Sequence, residues 1–131
     1  MPSQNDLPAV SQEALQIFRA AAPQIIKESV DLALLEKADV VQHGDQAESV
    51  ITAGLQFTTR MLDSAMSVGA TALLGDELAW AKDRLPHDGV SMQQVSARLK
   101  IMREIILHKL PRKEAAEVVA YLDWMLKRME N

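Results

Sequence analysis

The stretch "GDELAWAKDRLPHDGVS", residues 75–91, decides how the rest of the chain is read. Together with Leu73 and Leu74 before it, Leu78, Ala81 and Leu85 mark one apolar helical stripe. Pro86 closes that helix, because a proline biases the residue before it away from helical backbone. Asp88-Gly89 then supplies local hydrogen bonding and a permissive backbone for a turn. Ser91-Met92-Gln93-Gln94 has the spacing of a capping box, so a new helix starts at once. The stretch is a helix, a turn and a helix start, with His87 in the turn as either a ligand or punctuation.

The same grammar extends toward the C-terminus. Met92, Val95, Leu99, Met102 and Ile106 follow the capping box at spacings of three and four. Ile101 and Ile105 form a second line beside them, wider than one core contact needs. Pro111 divides this helix from a last one bearing Ala115, Val118, Val119, Leu122, Met125, Leu126 and Met129. Two long helices joined by a tight turn are expected to pack antiparallel.

Toward the N-terminus, "AESVITAGLQFTTRMLDSAM" carries a long stripe that includes Phe57 and Met61. Asp45 and Glu48 have capping-box spacing before it. Gly54 costs about 1 kcal/mol inside a helix relative to alanine, so it is expected where another backbone passes close, a gap that a ligand can also use. Gly44 and Gly69 read as helix stops, and Thr71 or Asp76 as the cap of the next helix. From Ser11 to Leu34 the apolar spacing is helical, but Pro23 interrupts it, and two helices meeting at an angle are expected. Residues 1–10, with two prolines, read as a loose tail. The total is six to seven helices in one domain, residues 11–131, with no strand-like alternation.

Composition agrees with an all-α fold. The chain has 131 residues, 48% of them hydrophobic, which is enough for one domain with a sizeable core. There is no cysteine, which excludes disulfides, cysteine-ligated metals and thiol chemistry. The first residues lack the basic and apolar segments of a signal peptide. No apolar run approaches the ~18 residues of a membrane span, and a cytoplasmic protein is expected. Residues 1–90 carry 6 basic and 13 acidic side chains, whereas residues 91–131 carry 8 and 5. The basic excess near the C-terminus suits helix dipoles or an acidic partner. An acidic chain without a basic, aromatic-interleaved stripe does not suit nucleic acid.

No catalytic motif emerges, and no enzyme is expected. The three histidines, His43, His87 and His108, show no metal-ligand spacing, and no metal is expected. There is no nucleophile elbow and no phosphate loop. Trp80, Tyr121 and Trp124 are scarce aromatics that suit core packing, an interface or a ligand cavity.

The order of these helices resembles the globin order. More narrowly, Trp80, Leu85, Gly89, Val90 and Ser91, followed by Leu99, Arg103, Ile105 or Ile106, Leu110 and Pro111, resemble the non-haem globin sensor domains at the N-termini of RsbR-type stressosome proteins. The likeness spans about residues 11–130. In oxygen-binding globins a histidine of the corresponding helix ligates iron, and the segment from Leu73 to Leu85 has none. The resemblance therefore implies a globin-like fold without haem or other bound cofactor.

It further implies a regulatory, sensory domain in signal transduction and stress response, acting through homodimerisation and protein partners. The dimer face would fall on Ile101, Ile105, Val118, Tyr121, Leu122 and Met125 of the last two helices. The alternative is a small-molecule binding protein that holds haem, a fatty acid or another apolar ligand between its helices. Phe57, Met61, Trp80 and His87 are the pocket candidates. Whether the chain stands alone or is part of a larger regulator stays open.

Overall fold

The computed structural model describes residues 7–130, save the side chains of residues 38 and 39. Among them there are six α-helices and no strand: α1 (Gln12–Ala33), α2 (Lys37–His43), α3 (Ala47–Val68), α4 (Thr71–Arg84), α5 (Met92–Lys109) and α6 (Arg112–Met129). All but α2 are long. Two short 3₁₀ turns, Gly44–Gln46 and Leu85–Asp88, precede α3 and follow α4. No described helix is long and apolar enough to cross a membrane.

α1 is the organising helix and packs against α3, α5 and α6. It runs unbroken through Pro23, which corrects the expected pair of helices. The proline is exposed, and so is Arg19, whose carbonyl the missing N–H would have bonded, so water can serve that group. On the inner face Leu15, Phe18, Ile25 and Val30 are buried on both sides of the proline. Each contributes roughly 1.5–3 kcal/mol by burial, which together outweighs the ~3 kcal/mol cost of a mid-helix proline.

α5 and α6 are the expected antiparallel pair and pack closely together. The Ser91 capping box forms in full: Gln94 N–H donates to Ser91 Oγ at 3.1 Å, and Ser91 N–H donates to Gln94 Oε1 at 3.0 Å. Arg103 of α5 makes two hydrogen bonds to Asp123 of α6, at 2.7 and 3.3 Å, and this partner raises the arginine pKa. Arg19 and Asp63 tie α1 to α3 in the same manner, at 2.7 and 2.8 Å.

Residues 7–10 are docked, which corrects the loose tail for the part described; residues 1–6 lie outside the described residues. Val10 N–H donates to the Met66 carbonyl, and the buried Tyr121 hydroxyl donates to the Pro8 carbonyl at 2.7 Å. Ser11 caps α1 through its hydroxyl oxygen and donates to Glu117 of α6 from both its N–H and its Oγ. Gly69 closes α3 with φ 68°, and a Cβ there would stand 3.0 Å from the Ala9 nitrogen. The close approach expected at Gly54 is thus found at Gly69.

Two expected caps do not form. Asp45 lies in the 3₁₀ turn, and α3 begins after Gln46, whose backbone is already helical and gives no side-chain cap. A capping box needs an extended N-cap residue, and the turn removes it. α4 starts after Ala70, with Thr71 as its first residue and Asp76 well inside. Gly44 has the positive φ expected of a stop, 56°, but its ψ of −130° lies outside the left-handed helical region.

Candidate functional site

A cavity of about 450 Å³ lies between α3 and α4 on one side and α5 with the end of α6 on the other. Its size falls within the range of small-molecule sites. Each wall is one apolar stripe. Ile51, Leu55, Thr58 and Met61 line it from α3 at spacings of four, three and three, and Leu78, Ala81 and Leu85 from α4 and the following turn. Met92, Val95 and Leu99 come from α5, with Met125 and Met129 from α6. Four flexible thioethers therefore line one cavity, which suits an adaptable apolar surface.

Gly54 also lines the cavity, and a Cβ built on it meets nothing within 4 Å. The glycine leaves space free of any neighbouring backbone. Its expected role in close helix packing is corrected: the glycine is exposed, and no other backbone passes beside it.

Phe57 and Trp80 line the cavity where it reaches the surface, being 36% and 54% exposed. Their ring centroids are 6.3 Å apart and tilted by 49°, an arrangement aromatic pairs favour. Trp124 lies elsewhere, with the Arg128 guanidinium carbon 3.6 Å above its ring.

Three of the four pocket candidates, Phe57, Met61 and Trp80, are therefore brought together. His87 is not. The 3₁₀ turn that Pro86 initiates and Gly89 closes, at φ 81°, leaves it exposed and outside the wall. Its place is taken by His43, at the end of α2, whose Nε2 is buried with no hydrogen-bond partner.

Among the described residues the cavity is lined by three charged side chains, Glu77, Asp88 and Arg98, of which Arg98 is buried, at 6% exposed. Its long stem can pack on apolar surface while the guanidinium keeps its charge. Sequence reasoning missed both residues. For Arg98 a signal was present: Val95, Arg98, Leu99 and Met102 have the spacing of one apolar face, with a cation in the second place. For His43, on a short helix with weak periodicity, no such signal exists.

The residues assigned to a dimer face are buried within the single chain. Val118 and Leu122 have no exposed surface, Tyr121 is 1%, Met125 3% and Ile105 7% exposed. Only Ile101 is partly exposed, and it too packs on the core. The second apolar line of α5 is covered because α5 packs on α1 as well as on α6. Among the described residues there is no group of three or more His, Asp or Glu side chains able to hold a metal ion.

Comparison with known proteins finds no family model that matches the chain, and no curated protein or solved structure similar to it.

Proposed function

We propose that this chain is a small-molecule binding domain that takes an apolar ligand into the cavity between α3, α4, α5 and α6. The observation that carries this reading is Gly54. A glycine in the middle of a long helix costs about 1 kcal/mol relative to alanine, and here no turn, positive φ or neighbouring backbone requires it. Gly54 is exposed on the cavity wall, and what the missing side chain leaves is open space at the cavity's rim. A ligand would bury its apolar surface against the methionine and leucine walls and pass Phe57 and Trp80 on entry.

A regulatory use is proposed at the level of occupancy. The cavity is walled by α3 and α4 on one side and by α5 on the other, so filling it biases their relative packing. The globin-like, haem-free reading is kept as a proposal on helix order and on the absence of histidine from α4. A homodimer or signalling partner would have to use a surface other than the predicted face.

The test is Gly54→Leu, which places a bulky side chain on the cavity wall at a position where a Cβ meets no neighbour within 4 Å. With 2-naphthylmethanol as probe and fluorescence of Trp80 read in a Trp124→Phe background, the parent is expected to bind saturably. Gly54→Leu is expected to weaken binding about tenfold or more while raising the melting temperature. Equal affinity in both proteins contradicts the assignment of the cavity.

A further inference from the structure

The α3–α4 hairpin has a second apolar face, turned toward solvent. On α3, Phe57, Met61, Ser64 and Val68 recur at spacings of four, three and four, which is one side of a helix. On α4, Leu73, Glu77 and Trp80 follow the same rule. Phe57, Val68, Leu73 and Trp80 are exposed, from 36% at Phe57 to 67% at Val68. Single exposed apolar side chains need no explanation, but these form one patch. The Phe57 and Trp80 rings are 6.3 Å apart, and Phe57 and Leu73 line one open groove with Met61 and Ser64. The chain has five aromatic side chains, and this face exposes two of them, the residue class that interfaces favour.

Charge frames the groove. Arg60 of α3 lines it, and so do Asp76 and Glu77 of α4. The helices run antiparallel from the turn at residues 69–70, and the Phe57–Trp80 contact sets their register. Arg60 lies three residues after Phe57, and Glu77 lies three before Trp80. The cation and the acids therefore stand at one level along the hairpin, on its two different helices. Among the described residues no ion pair joins Arg60 to either acid.

We propose that this face is covered by a second copy of the chain, in a two-fold pair that sets α3 of each copy against α4 of the other. A two-fold axis running along the hairpin preserves level, so each Arg60 meets Asp76 and Glu77 of the other copy. The interface then has an apolar, aromatic centre and two matched cation–acid contacts. The alternative pairing, α3 on α3 and α4 on α4, sets acid against acid and is disfavoured. A second copy is the occupant because it brings both charges at the spacing the face requires. The pair covers Phe57 and Trp80, where the cavity reaches the surface, but it does not depend on the cavity holding a ligand.

The test is sedimentation velocity of the whole chain between about 10 µM and about 1 mM. The wild-type chain is expected to pass from a species of 14.5 kDa to one of twice that mass. Arg60→Asp is expected to weaken pairing about tenfold or more, and Asp76→Lys combined with Glu77→Lys is expected to do the same, because like charges then face each other. An equimolar mixture of these two variants is expected to recover pairing, since a cation again faces an acid on both sides. Leu73→Lys, at an exposed position outside the cavity wall, is also expected to weaken pairing. If the double variant does not fold by circular dichroism, Arg60→Asp and Leu73→Lys still decide. A wild-type chain that stays monomeric throughout overturns the proposal, as does a pair that Arg60→Asp and Leu73→Lys leave unchanged. A mixture that does not recover pairing overturns the setting of α3 against α4.

Discussion

The two sides of this helical protein are made from the same apolar periodicity and end differently. Around α1, α5 and α6 the stripes close on one another: Phe18, Ile25, Met102, Ile106, Val118 and Leu122 have at most 1% of their surface exposed. Between α3, α4 and α5 equally regular stripes stop short and leave about 450 Å³. The difference lies in single positions. The closed side fits large side chains such as Phe18, Ile25 and Met102 around small ones such as Ala14 and Ala115, with a proline turned outward and an N-terminal strap laid over α3 and α6. The open side has a glycine where a side chain would fit and an arginine where the period calls for an apolar residue. A periodic stripe shows which face of a helix points inward, and the volumes along it decide whether that face becomes core or cavity.

The largest expected effect falls on the closed side. Phe18→Ala should cost about 3–5 kcal/mol, because a close-packed site cannot collapse around the loss, and chemical denaturation measures it. A loss under ~1 kcal/mol would mean that the closed side is not close-packed. Two glycines sharpen the contrast with opposite signs. Gly69→Ala should destabilise by more than ~1 kcal/mol, since it places a Cβ at positive φ and 3.0 Å from the Ala9 nitrogen. Gly54→Ala should stabilise by about 0.5–1 kcal/mol, since its backbone is helical and the space beside it is open.

A further expectation concerns the seam between α5 and the turn before it. Ser91→Ala removes the side-chain acceptor of the capping box and should cost about 1 kcal/mol, with hydrogen exchange rising first in the opening turn of α5. The smallest effect is electrostatic. The hydrogen bonds from Arg19 hold the Asp63 carboxyl below its ordinary value of 3.8. A carboxyl whose folded pKa is depressed contributes stability above its unfolded pKa, and that contribution is lost as pH falls through the folded value. Arg19→Ala should let the Asp63 carbon resonance titrate closer to 3.8 and flatten the acid limb of stability slightly, because the pair is largely solvated.

Most of the element order was legible from local signals. The α4 stop at Pro86, the 3₁₀ turn closed by Gly89, the Ser91 box and the α5–α6 pair each follow from residues within a few positions of one another. What was not legible depended on tertiary context. Whether Pro23 breaks a helix depends on which way its ring faces. Whether Ile105 is surplus apolar surface depends on α1 arriving beside α5. Whether Gly54 receives a backbone or empty space depends on where the other helices stand.

The candidate site shows the same limit. Phe57, Met61 and Trp80 were readable as pocket residues because their stripes are regular. His87 was misplaced because turn chemistry tells where a chain reverses and not which way a side chain in the turn points. Arg98 was readable in principle as a polar residue at an apolar position. His43 was not, because its role depends on α2 lying against the start of α5.

The methionines offer the most direct measurement. Met61, Met92, Met125 and Met129 line the cavity, whereas Met66 and Met102 are buried in the closed core and do not. In a protein labelled at the methionine methyl carbons, titration with 2-naphthylmethanol should shift the first four resonances through the ring current and leave Met66 and Met102 close to their starting positions. Equal small shifts of all six, or no shift in any, would contradict the account of this cavity as a ligand site.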